Sequence, residues 1–153
     1  AFKAVDWTTI FLFAGMLSMK PALINTGAAK YIGDAMINAS SSFSINPNYA
    51  ILVALILICV IVTNFMSNTA TAALFAPIAL EVGILLNCNP APLLIGVGLA
   101  CSACFLTPVA TPPNTLVLGP GRYSFMDYIK SGWLLQLIVV IMLIVLIPIF
   151  FPF

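Results

Sequence analysis

Three long stretches of the sequence, residues 35–80, 82–121 and 131–153, carry no charged side chain. Charged residues make up 6% of the chain and hydrophobic residues 63%. A soluble domain carries about 25% charged residues. A bilayer admits helices or closed barrels, and the apolar–polar alternation that barrel strands need is absent from these stretches. The sequence therefore predicts an all-α polytopic membrane protein.

The composition also weighs against several classes of function. The chain contains no histidine, so the commonest general base and metal ligand is missing. A formal net charge of +1 gives no basis for binding nucleic acid. Cys101 and Cys104 have CxxC spacing, but they lie in an apolar run and are interpreted as packing residues rather than redox or metal ligands. Because no nucleophile–base pair can be assigned, we do not expect an enzyme.

A short polar stretch, residues 63–71, lies between two of the most apolar runs in the chain. Polar groups at membrane depth cost free energy unless they are satisfied. The preceding apolar run, residues 49–62, is shorter than the roughly 20 residues of a straight span. We therefore predict a re-entrant helical hairpin over residues 49–87 with its tip at 63–71. Two full spans joined by an exposed turn are the alternative, although residues 63–71 contain no charge, glycine or proline.

A second interruption lies at residues 107–114, where three prolines follow one another closely. Each proline removes a backbone donor and blocks the continuation of a helix. Residues 93–118 amount to about one span in length. We therefore predict a single transmembrane helix over residues 91–118 that is broken in mid-membrane at 107–114. A span followed by a loop and a buried stub is the alternative.

The flanking segments complete the predicted helices. Residues 1–39 are predicted to form a transmembrane helix and an amphipathic interfacial arm. In the arm, Lys30, Asp34 and Asn38 share one helical face, and the polar end of a span is an equal alternative. Residues 132–153 are predicted to form the last transmembrane helix.

The sidedness of the chain follows from the connector at residues 119–132. Its basic residues favour the cytoplasmic side, so the loop at 87–92 and the entry to the hairpin are expected outside. The sequence begins at Ala1 without an initiator methionine and soon enters an apolar run. We therefore expect the C-terminal portion of a longer chain.

The two interruptions offer related chemistry. Ser67, Asn68 and Thr69 are favourable N-cap residues for the second arm of the hairpin, and Thr111 precedes a half-helix that would begin at Pro112. Helix N-termini attract anions, whereas unwound carbonyls and short polar side chains suit Na⁺. Neither Lys nor Arg lies near either interruption. An anion bound here would depend on a co-bound cation, which is a physical basis for coupled transport.

The run Thr63-Asn64-Phe65-Met66-Ser67-Asn68-Thr69-Ala70, followed about forty residues later by Pro108-Val109-Ala110-Thr111-Pro112-Pro113-Asn114, resembles the second repeat of the divalent anion/sodium symporter family. The resemblance extends from Asp6 to the last span. It implies half of an inverted-repeat transporter in which each repeat has its own Ser-Asn-Thr hairpin. The first repeat has no counterpart in this sequence, so half of the substrate site is expected to be missing.

The resemblance also implies functional residues. Thr63, Met66, Asn68 and Ala110 would bind sodium, Met66 and Ala110 through their backbone carbonyls. Met66 departs from the family pattern, which usually has a smaller residue there. The substrate carboxylate would contact Ser67, Asn68, Thr69, Thr111 and Pro112. No cofactor is implied other than Na⁺ as the coupling ion.

The predicted function is secondary active import of small divalent anions (dicarboxylates such as succinate, or else citrate), coupled to sodium, by elevator-type alternating access. The full-length protein would be a multi-pass homodimer in the inner or plasma membrane, with the lipid bilayer, sodium, the anion and the missing N-terminal repeat as partners. One alternative is a sulfate or other inorganic anion transporter, or an antiporter of related architecture. A further alternative is a non-transporting membrane fragment or subunit.

Overall fold

The computed structural model describes residues 46–153 and a few isolated positions nearer the N-terminus. Those positions are Phe11, Ala14, Gly15, Asn25, Thr26, Gly27, Tyr31 and Ala35. Apart from them, the transmembrane helix and the arm predicted for residues 1–39 lie outside the described residues. Within residues 46–153 all regular secondary structure is helical, which confirms the all-α prediction for this part of the chain.

Helices follow one another through residues 46–153. They are α1 (Pro47–Thr63), α2 (Asn68–Leu85), α3 (Ala91–Ser102), α4 (Pro112–Leu118) and α5 (Phe125–Phe150). Proline occupies the first turn of α1, α3 and α4, where its missing N–H leaves no hydrogen bond unmade. Helix α2 begins after Ser67, and α5 begins with a capping box between Ser124 and Asp127. Each of the five helix starts within residues 46–153 is therefore marked by a cap or a proline.

The core lies where α3 packs against both α1 and α2, with α5 packed against α1 and α3. Its buried apolar side chains include Ile51, Leu52, Leu55, Ile56, Ala79, Val82, Leu93, Val97 and Ala100. Gly96 allows close approach of α3 to α1, since a Cβ there would lie 2.8 Å from Leu52 Cδ1. This packing fixes the hairpin of α1 and α2 against α3.

Helix α5 has an apolar outer surface. Its exposed residues include Trp133, Leu134, Leu137, Ile138, Ile141, Met142 and Val145. By length and composition, α2 and α5 could each cross a bilayer, whereas α1 with 17 residues and α3 with 12 are shorter. Exposed aliphatic side chains over the length of a span suit a lipid environment.

The hairpin turn is shorter than the predicted tip at residues 63–71. Only residues 64–67 are non-helical, and we call them the tip. Residues 68–71 already belong to the first turn of α2, because the Ser67 hydroxyl accepts a hydrogen bond from the Ala70 N–H at 3.2 Å. A cap at Ser67 lets the helix begin earlier than the run of polar residues indicates.

The second interruption also differs from its predicted bounds of 107–114. Helix α3 ends at Ser102 and α4 begins at Pro112, so the non-helical segment is 103–111, which we call the break. It begins earlier because a side chain from α5 binds the backbone at its start, as described below. The last helix likewise begins before residue 132, at Phe125, because the capping box lies there.

Candidate functional site

Thr63 connects the end of α1 with α2 and α3. Its buried side chain can donate to either of two acceptors. The hydroxyl lies 2.6 Å from the Cys101 carbonyl oxygen in the last turn of α3 and 2.9 Å from Asn68 Oδ1 in the first turn of α2. The three helix ends therefore meet at one hydroxyl group.

Asn64 joins the tip to the break. Its Oδ1 accepts from the Leu106 N–H at 3.1 Å, and its Nδ2 donates to the Val60 carbonyl at 2.7 Å. The backbone carbonyl of Asn64 accepts from the Thr107 hydroxyl. Asn64 is only 4% exposed, so these bonds are shielded from competing solvent. One residue thus fixes the distance between the two interruptions.

The start of α2 presents polar groups toward the exterior. Ser67 and Thr69 are exposed, whereas Asn68 is half-buried. The Thr71 hydroxyl donates to the Ser67 carbonyl at 3.1 Å, which adds a side-chain hydrogen bond within the first turn of α2. The first N–H groups of a helix have no intrahelical acceptor and form the positive end of its dipole. The exposed end of α2 can therefore accept a negatively charged group.

The start of α4 is built differently. Thr111 is its N-cap in an extended conformation, with φ −130° and ψ 139°, but the Thr111 side chain makes no capping hydrogen bond. The first turn of α4 instead folds back onto the break. Asn114 Nδ2 donates to the Thr107 carbonyl at 3.3 Å, and the Thr115 hydroxyl donates to the Pro108 carbonyl at 2.6 Å. The hydroxyl of Thr111 is not used as a cap.

The predicted site residues fall into two groups in the structure. Thr63, Met66, Ser67, Asn68 and Thr69 lie at or beside the tip, and Ala110, Thr111 and Pro112 lie where the break meets α4. Thr63 and Asn68 are brought together directly, at 2.9 Å. The hydrogen bonds between the tip and the break run from Asn64 to Leu106 and Thr107, none of which is a predicted ligand. The bond from Thr63, a predicted ligand, goes to Cys101 in α3.

Sequence reasoning missed Gln136 on α5. Its Oε1 accepts from the Phe105 N–H at 3.1 Å and its Nε2 donates to the Ala103 carbonyl at 2.8 Å. The residue is 6% exposed. It is the one side-chain amide in the uncharged stretch 131–153, and a polar group within such a stretch is a signal of function. That signal could have identified it.

Nearly the whole chain matches one known protein family. The family described as "Sodium:sulfate symporter transmembrane region" matches residues 3–153.

The chain belongs to this symporter family.

This membership confirms the resemblance to the divalent anion/sodium symporters. The family description names a transmembrane region of a symporter, and the relatives reported below are named as transporters rather than enzymes.

Individual relatives cover nearly the whole chain. It is 39% identical over its full length to an uncharacterized transporter, YfbS, of Escherichia coli. It is 30% identical over 94% of its length to the sodium-dependent dicarboxylate transporter SdcS of Staphylococcus saprophyticus. It is 32% identical over 92% of its length to the human Na(+)/dicarboxylate cotransporter 3. The chain spans 23% to 27% of the length of these three relatives.

Proposed function

We propose that this chain forms half of the transport site of a secondary active transporter that imports small divalent anions together with sodium. The substrates proposed are dicarboxylates such as succinate, or citrate. The observation that carries the proposal is the set of hydrogen bonds that joins the tip to the break, from Asn64 to Leu106 and Thr107. Relatives named as sodium-dependent dicarboxylate transporters support the substrate class and the coupling ion.

For sodium, we propose the side chains of Thr63 and Asn68 and the backbone carbonyls of Met66 and Ala110. Thr63 Oγ1 and Asn68 Oδ1 converge to within 2.9 Å, so two neutral oxygens are available at one point. Neutral hydroxyl, amide and carbonyl oxygens suit Na⁺. Ala110 is buried in the break, where its carbonyl is not part of a helix.

For the anion, we propose Ser67, Asn68, Thr69, Thr111 and Pro112. The exposed start of α2 supplies N–H groups and a positive dipole end, and no fixed positive charge is needed. Asn68 belongs to both ligand sets, since its amide offers an oxygen to a cation and an NH₂ group to an anion. Sodium binding would therefore order the residue that receives the anion. This shared residue is the proposed physical basis of coupling.

The architecture proposed for the complete transporter follows the family resemblance. The hairpin of α1 and α2 would be re-entrant, and the break between α3 and α4 would lie in mid-membrane. A second, inverted repeat with its own hairpin would supply the other half of the site. We further propose elevator-type movement, a homodimer and a cell-membrane location. The coverage of about a quarter of each relative leaves ample length for such a partner repeat.

The test is uptake of labelled anion by the full-length transporter that contains this chain, reconstituted in proteoliposomes. Succinate, citrate and sulfate are compared under an inward sodium gradient and under an equal potassium gradient. We expect succinate or citrate uptake that requires the sodium gradient. Equal uptake under the potassium gradient would rule out sodium coupling. The absence of uptake of all three anions would rule out the proposed function.

Sulfate is the second candidate substrate, because the matching family description names it. A sulfate ion and a carboxylate both carry oxygens that helix N-termini can bind, so the half-site does not separate them. Uptake of labelled sulfate that excess succinate does not inhibit would favour sulfate. Uptake of labelled succinate that excess sulfate does not inhibit would favour dicarboxylates.

A further inference from the structure

One face of α5 contacts the start of the break and also helix α4, which follows the break. Tyr128, Gly132 and Gln136 are each four residues apart in this helix, so they lie on the same side of it. Together they span about 12 Å along the helix axis. We call these three residues the splint face.

Gln136 binds the start of the break. A side-chain amide offers one acceptor and one donor group, as a peptide unit does. Gln136 receives the Phe105 N–H and donates to the Ala103 carbonyl, two backbone groups that the end of α3 leaves without helical partners. Because the residue is buried, no solvent is at hand to replace these bonds. The unwound course of residues 103–105 is therefore supported by a side chain from another helix.

The other two residues of the splint face complete the contact. A Cβ on Gly132 would overlap the Phe105 carbonyl, so α5 can lie directly against the backbone of the break only with glycine there. At the far end, the Tyr128 hydroxyl donates to the Asn114 carbonyl in α4 at 2.8 Å. The ring of Tyr123 packs edge-on against Tyr128, with centroids 6.1 Å apart. The start of the break and the helix that follows it are thus held by the same face.

We infer that the splint face sets the position of residues 110–112 relative to the tip, and that Gln136 is a positioning residue for the transported ions. This inference rests on the proposed function, in which Ala110, Thr111 and Pro112 are ligands. Gln136 does not touch the ions itself. A displacement at its end of the break would move the proposed ligands at the other end, because Thr107 is bonded both to the tip and to α4.

The test uses the full-length transporter in proteoliposomes and compares Gln136→Met with wild type. Methionine has a similar length but offers no strong hydrogen bond. We expect the half-saturating sodium concentration and the KM for succinate to rise about tenfold, as the loss of two buried backbone partners predicts, with a much smaller change in Vmax. Ser131→Ala is the matched control, since that exposed hydroxyl donates to the Asp127 carbonyl within α5.

Gln136→Glu provides a readout that a merely structural role would not produce. A protonated glutamic acid can accept from the Phe105 N–H and donate to the Ala103 carbonyl, whereas an ionised carboxylate cannot donate. Burial favours the protonated form. At each pH, uptake is expressed relative to wild type and to Ser131→Ala. We expect Gln136→Glu to approach wild-type sodium affinity at acidic pH and to lose that affinity as the pH rises.

Two results would overturn the inference. One is an unchanged sodium requirement and KM in Gln136→Met. The other is a loss of Vmax alone that Gln136→Glu does not restore at acidic pH. If Gln136→Met does not fold, Tyr128→Phe removes a single hydroxyl from the same face. The expected rise in half-saturating sodium is then about threefold, and no rise contradicts the inference.

Failure of the proposed function is recognised separately, as wild-type protein that takes up no labelled anion. Hydrogen–deuterium exchange of the purified protein then tests whether Gln136 positions residues 110–112, because this measurement does not require transport. Faster exchange across residues 103–107 and 110–111 in Gln136→Met, but not in Ser131→Ala, supports the inference. Exchange that is unchanged at 110–111 overturns it.

Discussion

The tip and the break interrupt helices with the same kind of uncharged polar sequence, yet they are held in different ways. The tip is closed by its neighbours, with Ser67 capping α2 and Thr63 bonded to Asn68. The break depends on side chains from elsewhere, namely Gln136 of α5 and Asn64 of the tip. The N–H groups of residues 64–66 bond to carbonyls at the end of α1, whereas the N–H groups of Phe105 and Leu106 bond to side chains brought by tertiary packing.

This difference predicts that residues near the tip control the start of α2, whereas residues of the distant helix α5 control the position of the break. Substitutions in the tip should affect the adjacent start of α2. Changes in α5 should act on the break although they lie more than twenty residues away in sequence. The following predictions test this contrast, beginning with the residue that belongs to both the sodium and the anion ligand set.

Asn68→Ala is expected to have the largest effect. The substitution removes the amide that we propose for both sodium and the anion, and it deprives the Thr63 hydroxyl of one acceptor. Loss of a hydrogen bond to a charged group predicts a fall in sodium-driven uptake of about 100-fold. Initial rates in proteoliposomes measure it, with Asn48→Ala at the opposite end of α1 as the matched control. Uptake near wild type in Asn68→Ala would remove this residue from the site.

Asn64→Ala is expected to separate the tip from the break. It leaves the Leu106 N–H without its acceptor in a buried region. An unsatisfied buried donor costs about 1–3 kcal/mol, so the free energy of unfolding should fall by about that amount. Thermal or denaturant unfolding in detergent measures the change, again with Asn48→Ala as reference. Equal stability of the two variants would contradict the importance of this link.

Gly132→Ala is expected to disturb the break from a distance. The new Cβ would overlap the Phe105 carbonyl, and overpacking of this kind costs about 1–3 kcal/mol. Gly98→Ala is the matched control, because nothing lies within 4 Å of a Cβ at that helical position. The control should be as stable as wild type or more stable, by up to about 1 kcal/mol. If both variants have the same melting temperature, α5 does not constrain the break.

Ser67→Ala and Thr111→Ala compare the two helix starts, with the smallest expected effect on stability. Loss of the Ser67 cap should cost about 1 kcal/mol. Thr111→Ala should leave the unfolding free energy nearly unchanged, because the Thr111 side chain makes no capping bond. Both variants should nevertheless reduce uptake. A stability loss in Thr111→Ala as large as in Ser67→Ala would remove the difference between the helix starts.

The same contrast explains how far the sequence predicts the structure. Helix starts at Ser67 and Pro112 are marked by local residues, a cap in one case and a proline pair in the other. The start of the break has no such mark, since Ala103, Cys104 and Phe105 could all continue a helix. Its position is set by Gln136, which lies 31 residues after Phe105. Neighbouring residues alone therefore predict that the break begins at residue 107, whereas α3 ends at Ser102.

The candidate site shows a similar division. The family resemblance names ligands, and the polar composition of the two interruptions indicates where ions could bind. Neither indicates that Asn64 and Gln136 would hold the interruptions together, because their partners are backbone groups rather than side chains. A backbone donor or acceptor carries no residue-type signal in the sequence.

Cysteine labelling of the full-length protein tests whether the tip and the break form one site. Reporter cysteines are introduced by Ser67→Cys and Thr111→Cys, with Asn89→Cys in the exposed loop after α2 as reference. The background carries Cys88→Ser and serine at every reactive cysteine outside this chain, and it keeps the buried Cys59, Cys101 and Cys104. Sodium and succinate together should slow maleimide labelling at both positions 67 and 111, with little effect at 89 and much less protection by either ion alone. Protection of only one position, or equal protection by succinate without sodium, would contradict a shared sodium-coupled site.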